Sequence, residues 1–350
     1  MTVTVWKKGI ELKAAVLEEL NQPLAIRDVE LTQLTIGQVL VRVIVSGLCG
    51  SQLHEIKGFK GNGKFLPHLM GHEGCGIVEE IGPGVTTVQV GDKVVMHWRT
   101  GSGIEANFPT YKLNGKPFSS GKLTTLSEQA IVSENRLTTV PADTDPELAA
   151  LLGCSLTTAL GIIDNQSQLK FGETVAIIGC GGVGLNLISG AILKGAATVY
   201  GIDSITEKEA LVLSQGASQF LGSTSDLPEK VDLILDTTGS PDVISDAFKS
   251  LTNEGRIILV GQPAPGLEIV IPNAIQLFSG KGQTIRATQG GDTRPQTDIP
   301  KYLRLFESRK IEIAKLITHR YKLDLINTAF ETLKSGSSGR IMIETSGGKS

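Results

Sequence analysis

The chain has only four cysteines in 350 residues, too few for a disulfide scaffold. It has no uninterrupted apolar run long enough to span a bilayer, which excludes a helical membrane protein. Met1 to Val16 carries a lysine pair, Lys7 and Lys8, read as solvated surface, and no following apolar stretch with a small-residue cleavage site. A secretory signal is therefore not expected, and the expected compartment is cytoplasmic, where thiols stay reduced. Charge of one sign is also missing: a formal net charge of −3 offers no electrostatic case for nucleic acid or an anionic membrane as partner. No internal repeat of fixed period occurs, and only 346–350 reads as a frayed polar tail.

What is present is an ordinary globular composition, 40% hydrophobic and 20% charged, in a chain long enough for two domains that share a cleft. The first part is strand-like. Val39 to Val45 is a β-branched run, and Ile77 to Val95 repeats such runs between Gly-Pro-Gly and Gly-Asp punctuation, as in a β-rich domain. From about Glu147 the pattern changes to short Val/Ile runs alternating with longer apolar-periodic segments, the βαβ signature of a doubly wound parallel sheet. Strands are expected at Thr174 to Ile178, Thr198 to Ile202, Val231 to Leu235 and Arg256 to Val260. Crossover helices are expected at Gly184 to Lys194, Thr206 to Gln215 and Pro241 to Leu251. Beyond about Gly290 the sheet pattern stops. Ile299 to Ser308 reads as a helix, and the mixed segment Ile317 to Glu344 is expected to return to the first domain.

Gly179, Gly181 and Gly184 form G-x-G-x-x-G, with Cys180, Gly182 and Val183 between them, after an expected strand and at the mouth of an expected helix. The first glycine permits the tight turn, the second admits a pyrophosphate to the backbone, and the third lets helix pack on strand. The helix N-terminus then faces the phosphate charge. Asp203 closes the next strand nineteen residues beyond Gly184, near the spacing of the acid that bonds the ribose hydroxyls. Its carboxylate would repel a 2′-phosphate, and Ser204 to Glu207 contains no arginine to receive one, so NAD is the expected dinucleotide.

Two polar segments stand out in the first part. Cys49 lies in Gly47-Leu48-Cys49-Gly50-Ser51-Gln52-Leu53-His54, and His72 in Pro67-His68-Leu69-Met70-Gly71-His72-Glu73-Gly74. Neither holds a compact C-x-x-C or H-E-x-x-H signature, so spacing alone leaves a metal site and a satisfied turn equally open. Cys75 and Cys180 read as small buried hydrophobes. His68 and His97 stay ambiguous, the latter in a segment facing the expected substrate side.

In their order, Gly47 to His54, Gly71-His72-Glu73-Gly74, Gly91-Asp92-Lys93-Val94, Gly153-Cys154 and Gly179 to Gly184 resemble the zinc-containing medium-chain dehydrogenase family that includes the alcohol dehydrogenases. The likeness continues in Leu259-Val260-Gly261, Leu316-Ile317-Thr318-His319 and Arg340, nearest the liver and class III branch. It implies a GroES-like catalytic domain of residues 1–157 and 289–350 and a Rossmann domain of residues 158–288. It also implies one catalytic zinc on Cys49, His72 and Cys154, with an open fourth position. That Cys₂His set is the one known for alcohol dehydrogenases, and the resemblance alone assigns it to these three residues.

The same likeness implies Glu73 as an acid behind the metal and Thr158 near the nicotinamide. Arg340 would sit on the pyrophosphate, and Ser51 and His54 would form a proton relay linked by the cofactor ribose. The implied activity is hydride transfer between an alcohol or polyol and NAD. The alternatives are a zinc-free quinone-reductase-like enzyme and a non-catalytic dinucleotide-binding protein. A homodimer or homotetramer built through the nucleotide-binding sheets is expected, with Gly266 to Pro272 as the edge.

The chain departs from the family in three places. Met96 to Thr110 has no thiol where relatives carry a structural-zinc lobe, so no second zinc is expected. Gln52 replaces an acid near the metal, and Gly50 replaces a basic pyrophosphate contact. Trp98 falls where relatives line the pocket with an aromatic.

Overall fold

The computed structural model describes residues 11–61, 63–309 and 315–345, so Lys7, Lys8 and the tail 346–350 lie outside the described residues. The six-stranded sheet runs Gln219–Leu221, Thr198–Ile202, Thr174–Ile178, Val231–Asp236, Leu251–Leu259, Thr284–Ala287, all parallel. Numbered by sequence this is the order 3-2-1-4-5-6, which reverses direction between Thr174–Ile178 and Val231–Asp236 and opens a ligand crevice at the carboxyl ends of those strands.

Alternation explains why these runs became buried strands. Val175, Ile177, Val199, Leu233 and Leu235 point into one core with Leu185, Ile188 and Ala191 of the helix Gly182–Lys194. Ala176, Ile178, Tyr200, Ile202 and Ile234 point into a second core on the opposite face. Each such Leu or Ile contributes about 1.5–3 kcal/mol by leaving water. The helix stops at Gly195, whose φ of +98° closes the final turn by donating to the Ala191 and Ile192 carbonyls.

Of the four strands expected here, two have the bounds read from sequence, Val231–Asp236 is one residue longer, and Leu251–Leu259 begins five residues earlier. Two further strands have no counterpart in the sequence reading. Gln219–Leu221 is only three residues long, and Thr284–Ala287 is largely exposed, so neither carries an apolar signal. Pro241 to Leu251 divides into the helix Pro241–Ala247 and a 3₁₀ turn, and Thr206 to Gln215 into a 3₁₀ turn and the helix Glu209–Ser214. The edge strands of the sheet are Gln219–Leu221 and Thr284–Ala287, and Gly266 to Pro272, the expected subunit edge, forms no strand within the single chain.

In the first part the long strand Gln38–Leu48 is the axis of a seven-stranded sheet. It pairs with Glu73–Ile81, Gln129–Ser133 and, at its far end, Arg340–Glu344. The last two strands of the chain, Ile317–Lys322 and Arg340–Glu344, therefore belong to this sheet and not to the parallel one. Five shorter strands form a second sheet, from His68–Leu69 to Lys116–Ser119. Among the described residues no helix is long and apolar enough to cross a membrane.

Candidate active site

Register in the seven-stranded sheet assembles the site. Gln38–Leu48 runs directly into Cys49, which precedes the short helix Gly50–Ile56, and His72 immediately precedes the strand Glu73–Ile81. Pairing Ser46 with Gly74 brings His72 and Glu73 alongside the end of the long strand. Cys154 comes from a different layer, at the turn between the helices Pro146–Leu151 and Ser155–Gly161.

The ligand atoms of Cys49, His72 and Cys154 lie within 4.8 Å of one another, and this is the one such group of three among the described residues. Zinc bonds of about 2.0–2.3 Å place tetrahedral ligand atoms under about 4 Å apart, close to the spacing present here. The chemistry of the trio fits as well. A hydrogen bond from Cys154 pulls the Cys49 thiol well below its usual range against burial, with His72 and Arg340 adding to the effect. Burial opposes charge on His72, but the Cys49 bond and the nearby Glu73 raise it. One thiolate is thus favoured before any cation arrives, while the hydrogen bond to Cys49 and burial hold the Cys154 thiol protonated.

Glu73 is buried behind this trio. Its Oε1 accepts from the Arg340 guanidinium and its Oε2 from the Ser155 backbone N–H at 3.3 Å. Burial lifts the Glu73 carboxyl above its ordinary value and Arg340 opposes the rise. Complete burial excludes Glu73 as a surface carboxylate. Gly47 leaves room for the pair: a Cβ there would sit 2.7 Å from Glu73 Oε1 and 2.9 Å from Arg340 Nη2.

Arg340, expected on the pyrophosphate, donates from Nη2 to Glu73, while its Nε has no partner among the described residues. It still touches the glycine motif, because a Cβ on Gly182 would lie 2.6 Å from its Cδ and 2.7 Å from its Nη1. One buried side chain thus joins the metal trio to the dinucleotide turn.

That turn has the expected form. Gly179 has φ +85°, Gly181 has open space where a side chain would stand, and a Cβ on Gly184 would be 2.0 Å from the Gly179 carbonyl. Val183 is half-buried in the first turn of the helix. Asp203 Oδ2 accepts from Cys180 N at 2.8 Å and from Lys208 Nζ at 2.8 Å, and Oδ1 accepts from Ile205 N at 3.0 Å. Lys208 carries no signal in the sequence, since it lies just beyond the stretch Ser204 to Glu207 that follows the acid. Five residues past Asp203 it reaches back across the turn, with its side chain 6% exposed.

Ser51 is the second residue of the helix Gly50–Ile56, whose N-cap is Cys49, so Ser51 is not the cap of that helix. His54 is half-buried on the same helix, tilted against Phe59 with ring centroids 5.5 Å apart, and burial, Lys60 and Lys57 lower its pKa. Gln52 is fully buried. Its Oε1 accepts from Cys49 N at 2.9 Å, while its Nε2 has no partner among the described residues. Gly50 faces open space, and Thr158 is half-buried in the helix that follows Cys154.

His97 does not line the cleft. Its ring is buried between the Arg99 carbonyl at 2.8 Å and the Thr138 hydroxyl at 3.0 Å. His68 pairs with Glu55 at 3.0 Å. Cys75 and Cys180 are buried, with thiols pushed up to about 12, which fits their reading as inert small side chains. Trp98 does line the cleft, together with His72.

The rewritten segment after Met96 is tied down by side chains. Glu134 accepts backbone N–H groups from Thr86, Thr87 and Ile104, at 2.6, 2.7 and 2.7 Å. Ser133 Oγ accepts from Ala106 N at 2.9 Å, and the Arg136 guanidinium donates to the Trp98 carbonyl.

Comparisons with known proteins agree with this geometry. A profile for an alcohol dehydrogenase GroES-like domain matches residues 35–142, and one for a zinc-binding dehydrogenase matches residues 182–308. The NDMA-dependent alcohol dehydrogenase of Amycolatopsis methanolica is 30% identical over 95% of this chain and 99% of its own. The S-(hydroxymethyl)glutathione dehydrogenase of Komagataella pastoris is 29% identical over 95% and 97%. Among solved structures, an alcohol dehydrogenase zinc-binding domain protein from Burkholderia ambifaria superposes with a TM-score of 0.87, at 26% identity over 96% of this chain and 99% of that one.

Proposed function

The chain belongs to the zinc-containing medium-chain alcohol dehydrogenase family, and from that premise we propose that it transfers a hydride between an alcohol and NAD, with zinc held by Cys49, His72 and Cys154. The observation that carries the reading is the trio of ligand atoms within 4.8 Å, joined through Glu73 and Arg340 to the glycine turn. When bound, zinc supplies a Lewis acid that makes a substrate hydroxyl easier to deprotonate, and the nicotinamide supplies the hydride acceptor.

The chain's own groups do the rest. Glu73 and Arg340 form an ion pair behind the ligands, in which Arg340 favours the Cys49 thiolate and Glu73 favours charge on His72. Ser51 Oγ, two residues from Cys49, receives the proton of the substrate hydroxyl, and His54 on the same helix hands it to solvent. Asp203 reads the adenosine ribose, with Lys208 holding its carboxylate in place. The carboxylate disfavours a 2′-phosphate, which supports NAD over NADP.

The test is the appearance of NADH absorbance when zinc-replete protein meets NAD and a panel of alcohols and polyols. Turnover that vanishes on chelation is the expected result. Quinone reduction by zinc-stripped protein, with no alcohol oxidised, would overturn the reading.

A further inference from the structure

The cleft onto which His72 opens has a volume of about 450 Å³ and is not lined as a pocket for a simple apolar alcohol would be. Two of its walls are aromatic, Trp98 and Phe108, the latter 60% exposed. The other feature is a group of three charges, Glu105, Lys122 and Arg136. Glu105 Oε1 accepts from Lys122 Nζ at 2.5 Å and from Arg136 Nη2 at 3.3 Å, and its Oε2 accepts from Asn135 Nδ2 at 2.5 Å. Burial opposes the charge, but these partners outweigh it and hold the carboxyl ionised down to about 2.

Two cations around one carboxylate leave this group of three with an excess positive charge. The three cleft groups differ in what they can offer a ligand. Arg136 also donates to the Trp98 carbonyl and so anchors the wall. Lys122 gives one of its three N–H donors to Glu105 and lies 5.2 Å from the centroid of the Phe108 ring, with its side chain 23% exposed. An ammonium on an aromatic face with donors to spare suits a carboxylate whose apolar stem rests on that ring.

We propose that this cleft selects alcohols or aldehydes that carry a carboxylate at the end remote from the reacting carbon, with Lys122 receiving that carboxylate and Trp98 and Phe108 flanking the stem. The inference rests on the alcohol oxidoreductase reading and sharpens its substrate class. Lys122 and Glu105 act in opposite senses. Removing the lysine removes the anion's partner, whereas neutralising Glu105 removes the competitor for that lysine. A purely structural ion pair would shift both substrates of any matched pair alike.

The experiment compares para-carboxybenzyl alcohol with its neutral analogue para-methylbenzyl alcohol in zinc-replete protein, by kcat/KM with NAD and by calorimetric titration. The acid is expected to be favoured by about tenfold or more, the usual worth of one charge-assisted contact. That preference should fall to near parity in Lys122→Gln and increase in Glu105→Gln. No preference for the acid in the native protein, or the same preference in both variants, would overturn the proposal. If neither alcohol is oxidised but the acid binds with this pattern of preference, the oxidoreductase reading falls and the anion site stands.

Discussion

Arg340 and Glu73, separated by 267 positions in the chain, meet as a buried ion pair whose side chains are 3% and 0% exposed. The contact exists because the strand Arg340–Glu344 pairs with the end of Gln38–Leu48, opposite Leu48 at Ile341, while Glu73–Ile81 flanks the same strand. Arg340→Met is expected to destabilise the protein by about 3–5 kcal/mol, because it leaves a buried carboxylate uncompensated beside the thiols. Chemical denaturation measures this, and adding Glu73→Leu to the same protein should recover much of the loss. A single variant as stable as the native chain would show that the pair is not the anchor described here.

Zinc content is the second measurement. The native protein should carry about one zinc per chain after metal-replete purification, and Cys154→Ser well under half of that. Two tightly held zincs in the native chain would require a second set of ligands that the segment Met96 to Thr110, with no thiol, does not provide.

Cofactor choice turns on the contact between Asp203 and Lys208. In Asp203→Asn the carboxylate charge is gone and the ammonium is released from it, so the ratio of kcat/KM for NADP over NAD should rise about tenfold or more. Lys208→Ala in the same background should reverse most of the gain. An unchanged ratio in the single variant would remove Asp203 from ribose recognition.

Ser51→Ala tests the relay. Loss of a positioned proton acceptor is expected to lower kcat by about 10²-fold or more, with little effect on NAD binding measured by fluorescence titration. Equal kcat would assign the proton to another path.

Stability should also depend on pH through His97. Burial drives its pKa down to about 4, whereas an unfolded histidine titrates near about 6.5. Between those values the unfolded chain binds a proton that the folded chain refuses. The contribution is therefore complete above about pH 6.5 and is lost as pH falls towards 4, by about 3 kcal/mol in all. Denaturation midpoints recorded across that window should fall on acidification, and the fall should be shallower in His97→Gln.

Much of the dinucleotide half was legible because its signals are local. The strand Thr174–Ile178, the glycine turn and the helix to Lys194 occupy a single stretch, and each glycine is demanded by a turn or a close approach within a few residues. Lys208 was not legible, since a lysine after a loop has no distinctive neighbours until the turn folds it back onto Asp203. Gln219–Leu221 and Thr284–Ala287 were invisible for a related reason, because short or exposed strands acquire their state from the partner strand and not from their own composition.

Composition, periodicity and motif order were enough to determine a two-part α/β chain with a dinucleotide turn, since helix and strand periods and glycine turns are written in neighbouring residues. The metal trio was different: Cys49, His72 and Cys154 come from three separate segments, and spacing alone left them ambiguous. Only the tertiary structure brought their donors within 4.8 Å, buried Glu73 behind them and set Arg340 between that carboxylate and the glycine turn. Those outcomes depend on strand register and on the low-dielectric interior, where a charge must find its partner and where no local sequence pattern records which one it finds.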